Sequence, residues 1–127
     1  MAGLVYDAGV LISMARNDAS VWLRHSRALA AGVTLSIPAG VVAQAWRDGR
    51  RQALLARLLR GCDVIALDHA RARRVGELLG RARSADVVDG SVVALAVELA
   101  ADIVSSDPAD LRTLVRRTGR DIAIIRW

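Results

Sequence analysis

Several kinds of residue and segment are scarce or missing in this chain of 127 residues. It contains one cysteine, Cys62, which rules out an intrachain disulfide and favours a reducing compartment. Its apolar runs are interrupted by polar residues and are too short to span a bilayer. Its first residues have the pattern of a strand and not of a secretion signal. We therefore expect a soluble, cytoplasmic protein.

Lysine and phenylalanine are absent, so all 18 basic residues are arginines, and aromatic residues make up only 3% of the chain. Hydrophobic residues still reach 54%, mainly as alanine, valine and leucine, which is ample for the core of one domain over residues 1–127. The net charge of +5 suits a polyanion such as nucleic acid. Arginines on helix faces, however, are often simply solvated.

Short apolar runs alternate with segments of helical periodicity along the whole chain. We predict strands near residues 4–6, 33–37, 64–67, 103–105 and 122–125. Between them lie predicted helices, including a long candidate at 41–59 that is broken at Asp48 and Gly49. Strands that alternate with helices predict an α/β fold with a parallel sheet covered on both faces.

Five of the 13 acidic residues fall at strand ends or helix starts, where such a fold gathers side chains into one crevice: Asp7, Asp86, Asp89, Asp107 and Asp110. Carboxylates that are crowded together repel each other unless a cation lies among them, and a divalent metal is the usual solution. Such a metal can activate water for attack on a phosphodiester. The pattern therefore predicts a metal-dependent nuclease.

Each aspartate also has a purely structural explanation. Asp86 and Asp110 would favour the first turns of their helices, and Asp107 could be an N-cap. Asp7 has no cap to make if a tight turn follows the first strand. Asp7, Asp89 and Asp107 together form our predicted metal-binding set, because the three are more specific than any one.

Two other α/β enzyme classes place aspartates at strand ends, and the sequence excludes both. A phospho-accepting receiver domain needs a lysine near its site, and the chain has none. A phosphatase of the haloacid dehalogenase type needs a second aspartate two residues after the first, where Gly9 stands. The two histidines, His25 and His69, lie outside the acidic segments, and we expect them at helix surfaces or ends.

Four segments resemble the PIN-domain family, and within it the small VapC-type toxins of bacterial toxin–antitoxin pairs. They occur in the family's order and spacing at residues 5–9 (VYDAG), 37–44 (IPAGVVAQ), 84–90 (SADVVDG) and 105–111 (SSDPADL). The resemblance implies a Rossmann-like, three-layer α/β/α PIN domain and an endoribonuclease that depends on Mg²⁺ or Mn²⁺. It also implies a homodimer that a cognate antitoxin protein holds inactive.

Carried over by position, Asp7, Asp89 and Asp107 match the family's metal-binding aspartates. Ser105 stands where a hydroxyl residue commonly supports the site, and Asp86 and Asp110 match additional acidic positions seen in relatives.

One position departs from the family pattern, because Gln44 stands where many relatives have a glutamate. Glutamine keeps an oxygen donor but lacks the negative charge, which leaves open a catalytically weak domain that binds RNA or protein. Gln44 remains a candidate site residue. The candidate contacts to RNA phosphates are arginines that flank the motifs: Arg47, Arg50, Arg51, Arg81 and Arg83.

Overall fold

The sheet has five parallel strands, with the first strand of the chain at its centre. The computed structural model describes residues 3–127, apart from the side chain of Arg51. The strands are β1 (Leu4–Tyr6), β2 (Leu35–Pro38), β3 (Asp63–Ile65), β4 (Asp102–Ser105) and β5 (Ile124–Arg126). The helices are α1 (Ala8–Ala15), α2 (Ala19–Ala30), α3 (Ala39–Ala45), α4 (Ala53–Arg60), α5 (His69–Ala82), α6 (Val87–Leu99) and α7 (Ala109–Thr118).

The strand order, β3-β2-β1-β4-β5, sets where a crevice opens. The chain winds outward from β1 through β2 to β3, then crosses to the other side of β1 for β4 and β5. Right-handed crossovers therefore place α1–α4 on one face of the sheet and α5–α7 on the other. The predicted α/β/α arrangement with a parallel sheet is confirmed. The winding reverses between β1 and β4, and ligand sites of such folds lie beyond the carboxyl ends of the strands at that point.

Helix α6 is the central helix of its layer, which explains its nearly continuous apolar sequence. It contacts β1, β2 and β4 on one side and packs against α5 and α7 on the other. At Gly90 the approach to α5 is so close that an added Cβ would lie 2.9 Å from Leu79 Cδ2. The helix ends at Ala100, an alanine in the left-handed region with φ 50°.

Tyr6 and His25 form a buried polar pair between β1 and α2. The Tyr6 hydroxyl lies 2.9 Å from His25 Nδ1, and the Trp127 ring packs edge-on against Tyr6. Both Tyr6 and His25 are buried, so the expectation of a surface position for His25 is wrong. Burial lowers the pKa of His25, and the Tyr6 hydroxyl satisfies the ring nitrogen that burial removes from water.

The ends of some elements differ from the predicted ones. The break predicted at Asp48 and Gly49 in the helix candidate 41–59 is confirmed: α3 and α4 are separate helices, joined by a short 3₁₀ turn at Gly49–Arg51 that Asp48 caps through the Arg50 N–H. The predicted strand at 64–67 begins earlier, as β3. Within residues 3–127, no helix is both long and apolar enough to cross a membrane.

Candidate metal and phosphodiester site

Asp7 follows β1 directly and is held by hydrogen bonds to both of its carboxylate oxygens. Its Oδ1 accepts a hydrogen bond from the Ala8 N–H at 2.7 Å, which caps α1. Its Oδ2 accepts one from the Ser105 hydroxyl at 2.9 Å. The absence of a cap was expected only if a tight turn followed β1, and no such turn forms, because α1 begins at the next residue. Asp7 is thereby both a helix cap and a carboxylate with a fixed orientation.

Ser105, at the end of β4, is buried and connects two of the predicted ligands. Its hydroxyl donates to Asp7 and accepts a hydrogen bond from the Asp107 N–H at 3.1 Å. The neighbouring Ser106 packs so closely on Gly9 that a Cβ at Gly9 would overlap its hydroxyl. The loop after β4 is therefore fixed against the start of α1.

Asp107 itself is exposed on this loop. It does not cap α7, because Pro108 takes the cap position and no side chain caps that helix. Its carboxylate is therefore not committed to the helix start, in contrast to the structural role that the sequence also allowed.

The other acidic residues stand at the starts of α6 and α7. Asp86 is the N-cap of α6, and its Oδ1 accepts a hydrogen bond from the Asp89 N–H at 2.9 Å. Asp89 is half-buried in the first turn of α6, and Asp110 is exposed in the first turn of α7. Asp86 therefore has the structural role of a helix N-cap, and its second carboxylate oxygen takes no part in that cap.

The carboxylates interact strongly enough to change the protonation of Asp89. The pKa of Asp89 is raised from its ordinary 3.8 to about 6, first by burial and then by the negative charges of Asp86, Asp7 and Asp110. Among the described residues, no arginine forms an ion pair with any of these four. The cluster therefore holds negative charge that its own chain leaves without a paired cation.

A divalent cation fits this cluster by charge and by ligand type, since carboxylate and hydroxyl oxygens are hard donors that suit Mg²⁺ and Mn²⁺. Within residues 3–127, however, no three acidic, histidine or cysteine side chains stand close enough together to hold one ion. Mutual repulsion favours such a spread of carboxylates. Binding would require side-chain rotation that brings the oxygens together.

A polar cleft of about 350 Å³ opens between the end of α5 and the starts of α6 and α7. Three carboxylates line it, those of Asp86, Asp89 and Asp110. Its other walls include Arg83, which ends α5 in the left-handed region at φ 53°, and Thr113, one turn into α7. Space, negative charge and a cation at the rim are thus combined at one place.

Of the four predicted RNA-contacting arginines whose side chains the structure describes, only Arg83 lines this cleft. Arg47 Nη1 instead donates to the carbonyl oxygens of Ala43 and Trp46. Arg50 is exposed with its Nε 3.9 Å from Asp48, and Arg81 is exposed on α5. The side chain of Arg51 lies outside the described part of the chain.

Gln44 is exposed on α3, one helical turn beyond Gly40. A Cβ at Gly40 would lie 3.5 Å from Val88 in the first turn of α6, so this face of α3 points toward the start of α6. Gln44 is thus on the side of α3 that faces the acidic helix start. Thr113 was not predicted as a residue of the site, and Gly9 was named in the motif at residues 5–9 but was given no role there.

Comparison with known proteins gives matches by structure only. No protein-family model matches the chain, and no curated protein matches its sequence. VapBC2 from Rickettsia felis, solved bound to a DNA fragment from its promoter, matches with a TM-score of 0.72 and 14% identity, over 98% of this chain and 98% of that one. FitAcB from Neisseria gonorrhoeae matches with a TM-score of 0.66 and 17% identity, over 96% of each chain. At these identities the comparisons establish the fold that this chain shares with them.

Proposed function

We propose that the chain is a metal-dependent endoribonuclease, the toxin of a type II toxin–antitoxin pair. The observation that carries this proposal is the presence of Asp7, Asp86, Asp89 and Asp110 at the point where the sheet winding reverses, where burial and then the three neighbouring negative charges raise the pKa of Asp89 to about 6. Crowded carboxylates without a paired cation favour a divalent ion, and a protein of positive net charge favours a polyanionic substrate.

In this proposal Asp7, Asp89 and Asp107 hold Mg²⁺ or Mn²⁺. A bound divalent ion supplies Lewis acidity, which lowers the pKa of water and neutralises phosphate oxygens. Ser105 orients Asp7 by its hydrogen bond and ties the Asp107 backbone to the same hydroxyl. Asp86 fixes the start of α6 and so the position of Asp89. Asp110, which lines the cleft, would accept hydrogen bonds from incoming water.

Arg83 would bind a phosphate of the RNA at the rim of the cleft, since its charge is not paired within the described chain. The remaining arginines carry the long-range attraction. The antitoxin partner and a homodimer follow from the resemblance to VapC-type toxins. The name of the structural neighbour VapBC2 agrees with that resemblance.

A second candidate is a PIN-like domain that binds RNA or protein without efficient cleavage. Two observations favour it: the neutral Gln44 at the position of a family glutamate, and the spread of the carboxylates, of which no three are gathered for one ion among the described residues. The two functions differ in one measurable property, which is the breakage of a phosphodiester.

The test is an incubation of purified, antitoxin-free protein with total RNA and Mg²⁺ or Mn²⁺. We expect discrete products from the wild type, and none with Asp7→Asn or with a chelator. Asp121→Asn is the matched control, because Asp121 lies at the opposite end of the sheet, before β5 begins. RNA that stays intact with Mg²⁺ and also with Mn²⁺ would reject the nuclease proposal and leave the binding domain as the explanation.

A further inference from the structure

A groove lies between α7 and the edge strand β5, on the flank of α7 that faces away from the carboxylate cleft. It has a volume of about 220 Å³, and its lining residues are Arg112, Val115, Arg116, Ile122 and Ile124. The residues of α7 that line the carboxylate cleft are different ones: Asp110, Thr113 and Leu114. Sites for drug-sized molecules measure roughly 300–1,000 Å³. The groove is therefore suited to a few side chains of another protein chain.

Strand β5 forms an edge of the sheet, so one side of its backbone has no neighbouring strand within residues 3–127. On its other side, the carbonyl oxygen of Ala123 accepts a hydrogen bond from the Ile103 N–H at 2.9 Å. Successive residues of a paired strand direct their backbone groups to opposite sides, so the N–H and carbonyl of Ile124 point to the open edge. Because the Ile124 side chain lines the groove, an extended chain that pairs with Ile124 would lie along it.

Two arginines on the wall of the groove carry positive charge that the described part of the chain does not pair. Neither Arg112 nor Arg116 forms an ion pair there, whereas Arg71 and Arg74 both bind Glu98, at 3.0 and 2.7 Å. Arg112 and Arg116 are exposed and four residues apart on α7, so they share a face and repel each other. Carboxylates bound to the two guanidinium groups would remove this repulsion.

The spacing of the two arginines matches that of alternate residues in a strand. Helix α7 is the crossover between the parallel strands β4 and β5, so it runs roughly along them. Arg112 and Arg116 are about 6 Å apart along the helix axis. In an extended chain, side chains two residues apart point to the same face and are about 6.6 Å apart.

We propose that the α7–β5 groove docks an extended, acidic segment of a partner protein. The segment adds a strand to the open edge of β5, and two of its alternate carboxylates bind Arg112 and Arg116. Aliphatic side chains beside these carboxylates contact Val115 and Ile122. The groove is thus an interaction surface separate from the carboxylate cleft.

Two other occupants agree less well with the groove. Sites for single-stranded nucleic acid combine positive charge with aromatic side chains on which bases stack, and the lining of this groove is aliphatic apart from its arginines. A second copy of the chain, related by a twofold axis, would set the arginines of one groove against those of the other. The net charge of +5 likewise favours an acidic partner.

The test is a titration of the isotope-labelled, metal-free protein with a synthetic octapeptide, followed by amide NMR. The peptide has two glutamates separated by one threonine, with valines at the flanking alternate positions, and a second peptide has glutamines in place of the glutamates. We expect saturable binding of the acidic peptide below about 1 mM and slower hydrogen exchange of the Ile124 amide. Arg112→Gln/Arg116→Gln should weaken binding about three- to thirtyfold, and the glutamine peptide should bind more weakly by a similar factor.

The matched control is Arg24→Gln/Arg27→Gln, which removes the same charge from two exposed positions on α2, in the other helix layer. We expect this control to bind the acidic peptide as tightly as the wild type. Equal affinities of the two double variants would overturn the proposal, and so would the absence of binding at about 1 mM or unchanged exchange at Ile124. Single-stranded RNA that displaces the peptide and binds more tightly would assign the groove to nucleic acid instead. The test involves no metal and no cleavage, so its outcome is independent of the proposed function.

Discussion

Replacement of Asp89 by asparagine is expected to stabilise the metal-free protein while it removes a predicted metal ligand. The pKa of Asp89 is about 6 in the folded chain against an ordinary 3.8, because burial and three neighbouring carboxylates disfavour its charge. A shift of about 2 pKa units corresponds to roughly 3 kcal/mol. Asp89 is only half-buried, and water screens part of this repulsion. We therefore expect the free energy of unfolding of Asp89→Asn to exceed that of the wild type by about 1–2 kcal/mol at neutral pH.

The sign of the pH dependence follows from proton binding. Between pH 4 and 6 the folded state retains a proton on Asp89 that the unfolded state has lost, so the free energy of unfolding falls as pH rises. The contribution of protonated Asp89 to the free energy of unfolding is complete below its unfolded pKa near 3.8, and it is lost as the pH passes 6. Asparagine does not titrate, so Asp89→Asn keeps its stability through this range.

The assay is urea unfolding of wild type and Asp89→Asn in a chelator at pH 4, 5, 6 and 7.5. We expect the free energy of unfolding of the variant to rise steadily relative to that of the wild type between pH 4 and 6. Added Mn²⁺ should then raise the midpoint of the wild type and leave that of the variant unchanged. Glu77→Gln, on the exposed side of α5, is the control. A variant less stable than the wild type at pH 7.5 without metal would refute the electrostatic argument.

Four further substitutions test packing, helix ends and the acidic site. Gly90→Ala should destabilise the fold by about 1–3 kcal/mol, because its Cβ would meet Leu79. Gly76→Ala, with open space around it, should stabilise the fold by about 0.5–1 kcal/mol. Thermal unfolding midpoints that shift in the same direction for both variants would contradict this. Ala100→Gly should stabilise by about 0.5–1 kcal/mol, since glycine adopts φ 50° without a Cβ penalty, and an unchanged urea midpoint would exclude strain there. Gln44→Glu should tighten Mn²⁺ binding severalfold by adding a carboxylate on the face toward α6; calorimetry that finds equal affinity would place Gln44 outside the site.

The fold was predictable because its signals are local. Short apolar runs such as Leu4–Tyr6 are bounded by aspartate or proline, and Gly119 follows the end of α7. The alternation of these runs with helical periods specifies a parallel sheet. The break between α3 and α4 was predictable from Asp48 and Gly49, but the 3₁₀ turn that Asp48 caps there was not predicted.

The positions of the acidic residues could be anticipated from strand ends, but their interactions could not. The bond from Ser105 to Asp7 joins residues 98 positions apart, and only the pairing of β1 with β4 creates it. The burial of His25 depends equally on a distant partner, Tyr6.

The central claim is that this carboxylate cluster holds a divalent ion, and a direct titration of Mn²⁺ followed by electron paramagnetic resonance tests it. We predict saturable binding to the wild type and to Glu77→Gln, and loss of that binding in Asp7→Asn and Asp89→Asn. Binding of equal strength in all four proteins would contradict the assignment of the site, and absence of binding in the wild type would contradict the metal-dependent function itself.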